Sequence, residues 1–156
     1  MSKIVIIGAG SGFGSRLSRD ILACEATRDA TIALCDINAE SLSGVAAYVQ
    51  RIIDAHKLPA RVEADTDRRK LLSGADFVVT SVSVGGAAYW GYPYAHEVLI
   101  PRKYGVQQSV ADTIGPGGVF RFLRTAPAQL DFCRDIEDLC PDALLLNYTN
   151  PMAMLT

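Results

Sequence analysis

Residues 4–14 read "IVIIGAGSGFG", and the interpretation of this stretch decides the fold. Four apolar, β-branched residues, Ile4 to Ile7, favour a strand buried on both faces. Glycines then fall at every second position, at Gly8, Gly10, Gly12 and Gly14. A helical pattern follows in "SRLSRDILACEA" (15–26), with Leu17, Ile21 and Leu22 on one face. A buried strand feeding a helix through a glycine turn is the opening of a βαβ unit.

The rest of the chain repeats that alternation. "TIALCDIN" (31–38) reads as a second buried strand. "AESLSGVAAYVQRIIDAHK" (39–57) reads as a helix, with Leu42, Val45, Val49, Ile52 and Ile53 at helical spacing. "RVEADTD" (61–67) is a weaker, more polar strand suited to an edge. "RRKLLSGA" (68–75) is a short helix with Gly74 placed for its C-terminal cap. "DFVVTSVSVGG" (76–86) predicts a fourth strand, and Ala87 to Gly118 is expected to be mostly loop, with aromatic residues at 89–94. A second long helix is expected over Val119–Leu139, with Phe122, Leu130, Ile136 and Leu139 among its apolar residues. "DALLLNYTN" (142–150) predicts a fifth, buried strand, and "MAMLT" the first turn of another helix. Strands alternating with helices imply one α/β domain, a Rossmann-like doubly wound parallel sheet covered on both faces.

Bulk properties set limits. The chain has 156 residues, 49% hydrophobic and 21% charged, with a net charge of -2. That balance gives no electrostatic footprint for nucleic acid or an anionic membrane, and no apolar run has the length of a membrane span. The N-terminus lacks the features of a secretory signal. Cys24, Cys35, Cys133 and Cys140 form no CxxC pair and no zinc spacing, which is expected of reduced thiols in a cytoplasmic protein.

The glycine turn carries chemistry. Gly8 permits a tight turn, and Gly10 lets backbone N–H groups approach a pyrophosphate at the helix N-terminus. Ser11, Gly12 and Phe13 complete the turn. Counted from Gly8, the third position of a G-x-G-x-x-G fingerprint holds Phe13 rather than glycine. Asp36, at the end of the second strand, is placed to accept both ribose hydroxyls of NAD and to repel the 2′-phosphate of NADP. NAD is therefore the expected cofactor. Ser83 and Gly85, at the end of the fourth strand, are expected beside the nicotinamide ribose.

The second half adds "ADTIGPGG" (111–118), "LRT" (123–125) and "NYTNPMA" (147–153) to "GAGS", the "DI" after strand two and "GADFV". In that order they closely resemble the NAD-dependent glycosidases of glycoside hydrolase family 4, over essentially the whole chain. Within the family, "ADTIGPGG" with "NYTNPMAM" is more similar to the α-galactosidase and α-glucosidase branch than to the 6-phospho-glycosidases. The latter usually carry an Arg after strand four, and Val84 to Pro101 contains none. The resemblance implies a nucleotide-binding domain related to that of lactate and malate dehydrogenases. It also implies oxidation at sugar C3 by NAD, elimination, and addition of water, assisted by Mn²⁺ or another divalent metal. Asn150 matches a substrate-contacting asparagine, and Asp112 an acidic position that tunes a catalytic tyrosine.

The family's metal ligands and base tyrosine match no residue of this chain. The 156 residues are therefore expected to be an N-terminal NAD-binding domain, inactive by itself, of an enzyme that assembles as a dimer or tetramer. Read without the resemblance, the same residues are compatible with a 2-hydroxy-acid dehydrogenase or a non-catalytic NAD-binding module. Asn150-Pro151 is also a plain turn sequence, Asp112 a cap, and "GPGG" a helix-initiating turn. Arg121 and Arg124 could pair with Asp131, Asp135 or Glu137 as surface charges, or Arg124 could brace an active-site loop.

Overall fold

The structure is a computed structural model that describes residues 1–86, 91–108 and 114–156. Five strands form one sheet: β1 (Lys3–Ile7), β2 (Thr31–Cys35), β3 (Arg61–Asp65), β4 (Phe77–Thr80) and β5 (Leu144–Asn147). Their order is β3-β2-β1-β4-β5, with β1 parallel to both β2 and β4, and β2 parallel to β3. The chain builds outward from β1 to one edge and then returns to the other side of β1. That reversal is the switch point of a doubly wound sheet, so the α/β reading of the sequence holds. The described residues form two compact units, Met1–Val82 with Arg134–Leu146, and Ser83–Cys133 with Asn147–Thr156.

In the first unit, α1 (Gly12–Ala23) and α2 (Ala39–His56) cover one sheet face. Ile4, Ile6, Ile32, Leu34 and Val79 meet Leu22, Leu42, Val49 and Ile53 in the main core. The alternate residues Val5, Ile7, Ala33 and Val78 are buried as well, the two-sided burial that a doubly wound sheet imposes. Each fully buried aliphatic side chain contributes roughly 1.5–3 kcal/mol, so these strands supply the main stabilisation of the unit. Asn38 caps α2 by accepting the Ser41 N–H at 3.0 Å. Gly74, at φ +72°, follows the short α3 (Arg69–Leu72) as the capping role requires. The backbone then enters β4 through Asp76, whose carboxylate accepts the Lys3 N–H at 2.7 Å.

Several expectations are corrected. The third strand is an edge, as read, but β4 ends at Thr80 rather than running to Gly86. Gly85 and Gly86 both have φ near +90°, which turns the backbone out of the extended conformation. Helix α4 (Tyr94–Lys103) lies within the stretch expected as loop. Its aromatic and proline content masked the helical period. Helix α1 begins inside the glycine run at Gly12, and α5 (Pro116–Leu139) begins three residues earlier than expected. Proline suits that first helical position, so "GPGG" initiates a helix.

Ile136 is buried as read, and Phe122 and Leu139 are half-buried, but Leu130 is 55% exposed and Phe132 is buried instead. The β5 leucines are not fully buried either, with Leu144 56% and Leu146 38% exposed on an edge strand. Asp135 is no surface charge: it is buried and holds Arg68 Nε at 2.6 Å, with Arg69 on its other oxygen.

All four cysteines are free thiols. Burial pushes the Cys35 thiol up to about 11 from an ordinary value of 9.0, with nearby Arg68 acting in the opposite direction. The folded state therefore holds this proton more tightly than the unfolded chain. The associated stability is complete below about pH 9 and is lost as pH rises through 11. In urea unfolding, the difference between wild type and Cys35→Ala is expected to narrow by on the order of 2 kcal/mol between pH 8 and 11. A pH-independent difference would refute the assignment.

Candidate functional site

The glycine turn lies at the carboxyl ends of β1 and β4, where ligands bind in sheets of this kind. Gly8 has φ +91°, and its N–H and that of Ala9 both donate to the Cys35 carbonyl, at 2.9 and 3.0 Å. A Cβ on Gly8 would lie 2.1 Å from the Ser81 carbonyl oxygen. The turn is thus clamped between the ends of β2 and β4. Gly10 donates its N–H to Asp36 Oδ2 at 2.8 Å, and Asn38 donates to Oδ1 at 2.8 Å. A Cβ on Gly10 would sit 2.8 Å from that carboxylate, so the absence of a side chain is what lets the turn reach Asp36.

Ser11 is the N-cap of α1, yet its side chain makes no capping bond. Its hydroxyl oxygen is buried and has no hydrogen-bond partner among the described residues. A buried hydroxyl beside the free N–H groups of a helix start is suited to an anion such as phosphate. Gly12 has open space where a side chain would be, with no heavy atom within 4 Å. Gly12→Ala is therefore expected to leave stability within about 1 kcal/mol of wild type, since alanine favours a helix. It is also expected to weaken binding of any pyrophosphate at this turn, readable by calorimetry. Phe13 is 57% exposed and does not replace the missing glycine. Gly14 does so instead, since a Cβ there would come within 1.9 Å of the Ala9 carbonyl oxygen. The close-packing glycine is one position later than the fingerprint puts it, which the alternating glycines of 8–14 concealed.

In the second unit, Ser83 and Gly85 belong to a turn following β4. The Ser83 hydroxyl donates to the Gly86 carbonyl at 2.8 Å, and the Gly86 N–H to the Ser83 carbonyl at 2.9 Å. A Cβ on Gly85 would meet the Pro93 ring at 2.9 Å. Arg124 braces this turn by donating Nε–H to the Val84 carbonyl at 2.7 Å, and its guanidinium pairs with Glu97. Glu97 is buried and Arg124 partly so, and that burial holds the Arg124 pKa below its ordinary value. Glu97 is the partner that sequence reasoning missed, because the two residues are 27 positions apart. Arg121 lies over the Tyr94 ring, 4.8 Å from its centroid.

Asn150 is exposed after β5 and precedes a cis peptide bond to Pro151. Its Oδ1 accepts the Met152 N–H at 3.3 Å, and its amide nitrogen has no hydrogen-bond partner among the described residues. Asp112 lies outside the described residues. No group of three His, Cys, Asp or Glu among the described residues could hold a metal ion.

Sheet order and glycine turn together define an α/β domain of the nucleotide-binding type. The chain belongs to the family 4 glycosyl hydrolases, whose family model matches residues 3–156. It is 47% identical to an α-galactosidase of Rhizobium meliloti, over 99% of this chain and 31% of that protein. It is 41% identical to an α-glucosidase of Erwinia rhapontici, over 99% of this chain and 34% of that protein. The 6-phospho-β-glucosidase of Thermotoga maritima, solved with manganese, NAD⁺ and glucose-6-phosphate, shares the fold with a TM-score of 0.82 at 23% identity. That match covers 97% of this chain and 35% of the other. The chain thus spans about a third of the length of the curated relatives it matches.

Proposed function

We propose that this chain is the NAD-binding part of a glycosidase that acts on α-galactosides or α-glucosides. The observation that carries the reading is the meeting of Gly10 and Asp36, beside a helix start with a buried, unpartnered Ser11 hydroxyl. The Asp36 carboxylate has two oxygens and about four acceptor sites, of which the Gly10 and Asn38 N–H groups take two. The others suit the 2′- and 3′-hydroxyls of an adenosine ribose, and the same charge repels a 2′-phosphate. The Ser11 hydroxyl and the first N–H groups of α1 suit the pyrophosphate, and Gly12 leaves room for it.

When bound, NAD⁺ would supply a hydride acceptor for oxidation at sugar C3, ahead of elimination and water addition, and Ser11, Gly12 and Asp36 are the residues that would hold it. The Asn150 amide can donate to one sugar hydroxyl, since its Oδ1 is already held by Met152. Asp112 is assigned the tuning of the base. Support for a substrate without phosphate comes from the α-galactosidase and α-glucosidase relatives, at 47% and 41% identity.

Calorimetric titration tests the reading. NAD⁺ is expected to bind saturably and NADP⁺ about tenfold more weakly or worse, from the charge opposite its 2′-phosphate. A folded sample with no NAD⁺ affinity would overturn the cofactor assignment. For the sugar, saturation-transfer NMR is expected to show contact with methyl α-galactoside and not with its 6-phosphate; the reverse preference would move the substrate to phospho-sugars.

A further inference from the structure

The turn after β4 is fastened from outside by an ion pair between two helices of the second unit. Gly85 and Gly86 have φ of +90° and +89°, and successive glycines give a backbone with little stiffness of its own. Two bonds between Ser83 and Gly86 close the turn. A further restraint comes from α5, where Arg124 donates Nε–H to the Val84 carbonyl at 2.7 Å, just before the two glycines. Ser83, Gly85 and Gly86 are nonetheless exposed, so a ligand can reach them.

Arg124 is itself aimed. Its guanidinium pairs with Glu97 of α4, which is only 7% exposed. A buried ion pair gains little over the water that its partners give up, so its main effect falls on geometry. A guanidinium is a rigid planar fork, and holding one prong on a carboxylate fixes where Nε–H points. Arg124 is thereby held at two points, by Glu97 and by the Val84 carbonyl. That carbonyl belongs to the segment leaving β4, and ligands of doubly wound sheets bind beyond the carboxyl ends of the strands.

We propose that Arg124, aimed by Glu97, is a positioning residue for the nicotinamide half of NAD⁺, setting the Ser83–Gly86 turn in the conformation that receives the nicotinamide ribose. This role rests on the NAD reading and extends it from the adenosine half, where Asp36 lies, to the other end of the cofactor. Arg124 acts through the Val84 carbonyl and makes no contact with the cofactor itself. A turn released from that bond samples other conformations, and affinity falls with the fraction that stays competent.

The test is calorimetric titration of wild type, Arg124→Gln and Arg124→Lys with NAD⁺ and, in parallel, with ADP. ADP carries the adenosine and both phosphates but no nicotinamide riboside, so its binding does not depend on the turn. Lysine keeps a charge beside Glu97 but replaces the fork by a single nitrogen. Both variants are expected to bind NAD⁺ about tenfold more weakly than wild type, and ADP within about twofold. At saturating NADH, both are expected to lose part of the enhancement of dihydronicotinamide fluorescence that wild type gives. Arg124→Lys decides the matter even where Arg124→Gln does not fold, since it keeps the buried carboxylate paired. Equal losses for NAD⁺ and ADP would leave the pair a merely structural role and overturn the proposal, as would undiminished NAD⁺ affinity. Wild type that binds neither nucleotide would overturn the cofactor reading, and this role with it.

Discussion

Gly8→Val is expected to abolish the folded state, at a cost of more than about 4 kcal/mol. Backbone strain and a steric clash add together. Gly8 has φ +91°, a region that β-branched residues scarcely enter, and forcing valine there costs on the order of 1–3 kcal/mol. The clash is the greater of the two. The new Cβ would lie 2.1 Å from the Ser81 carbonyl oxygen and 2.7 Å from its carbon. Those are backbone atoms at the end of a core strand, and they cannot rotate aside as a side-chain tip would. Relief would require β1 and β4 to separate, breaking the register from Ile4–Phe77 to Ile7–Thr80. Circular dichroism and urea unfolding give the answer directly. A variant that folds with a midpoint near wild type would show that the turn is looser than the geometry says. Gly12→Ala serves as the control four residues away.

Asp36→Ala should lower NAD⁺ affinity by at least about 100-fold while leaving the protein folded. The two effects separate because the carboxylate has two sets of partners. Its bonds to the Gly10 and Asn38 N–H groups are replaceable by water at this half-buried strand end, at a cost of about 1–2 kcal/mol in stability. Its proposed bonds to two ribose hydroxyls are charge-assisted, each contributing roughly 1.5–3 kcal/mol. Removing the charge also removes the repulsion of a 2′-phosphate, so the preference for NAD⁺ over NADP⁺ should shrink toward parity. Calorimetry with both nucleotides measures each part. Undiminished NAD⁺ affinity would mean that Asp36 only fastens the turn to the start of α2.

Much of the sheet could be read from residues 3–80, because buried parallel strands carry dense apolar signals and the glycines mark the turn. Asp36 was legible in position, at the end of the second strand, while its bonds to the Gly10 and Asn38 N–H groups were not. Gly14 was not, since four alternating glycines fit several registers and only the Ala9 carbonyl distinguishes them. The region after Thr80 was the least legible. There Gly, Pro and Tyr suggest loop, while α4 is held by long-range partners such as the Arg124–Glu97 pair. Tertiary contacts of that kind override local propensity and leave no periodic trace. The buried face of α5 was misjudged at Leu130, because its stripe of Thr125, Gln129, Phe132 and Ile136 includes two polar residues that carry no apolar signal.

The exposed β5 leucines bear on how the protein behaves in the test tube. An outermost strand offers unpaired backbone groups, and Leu144 and Leu146 add an apolar surface beside them. Such a margin is a template for other chains, and crowding them together in a concentrator or a crystallisation drop invites strand-to-strand precipitation. Placing a lysine at position 144 should raise the concentration at which the protein stays clear, at little expense to a side chain that is already 56% in water.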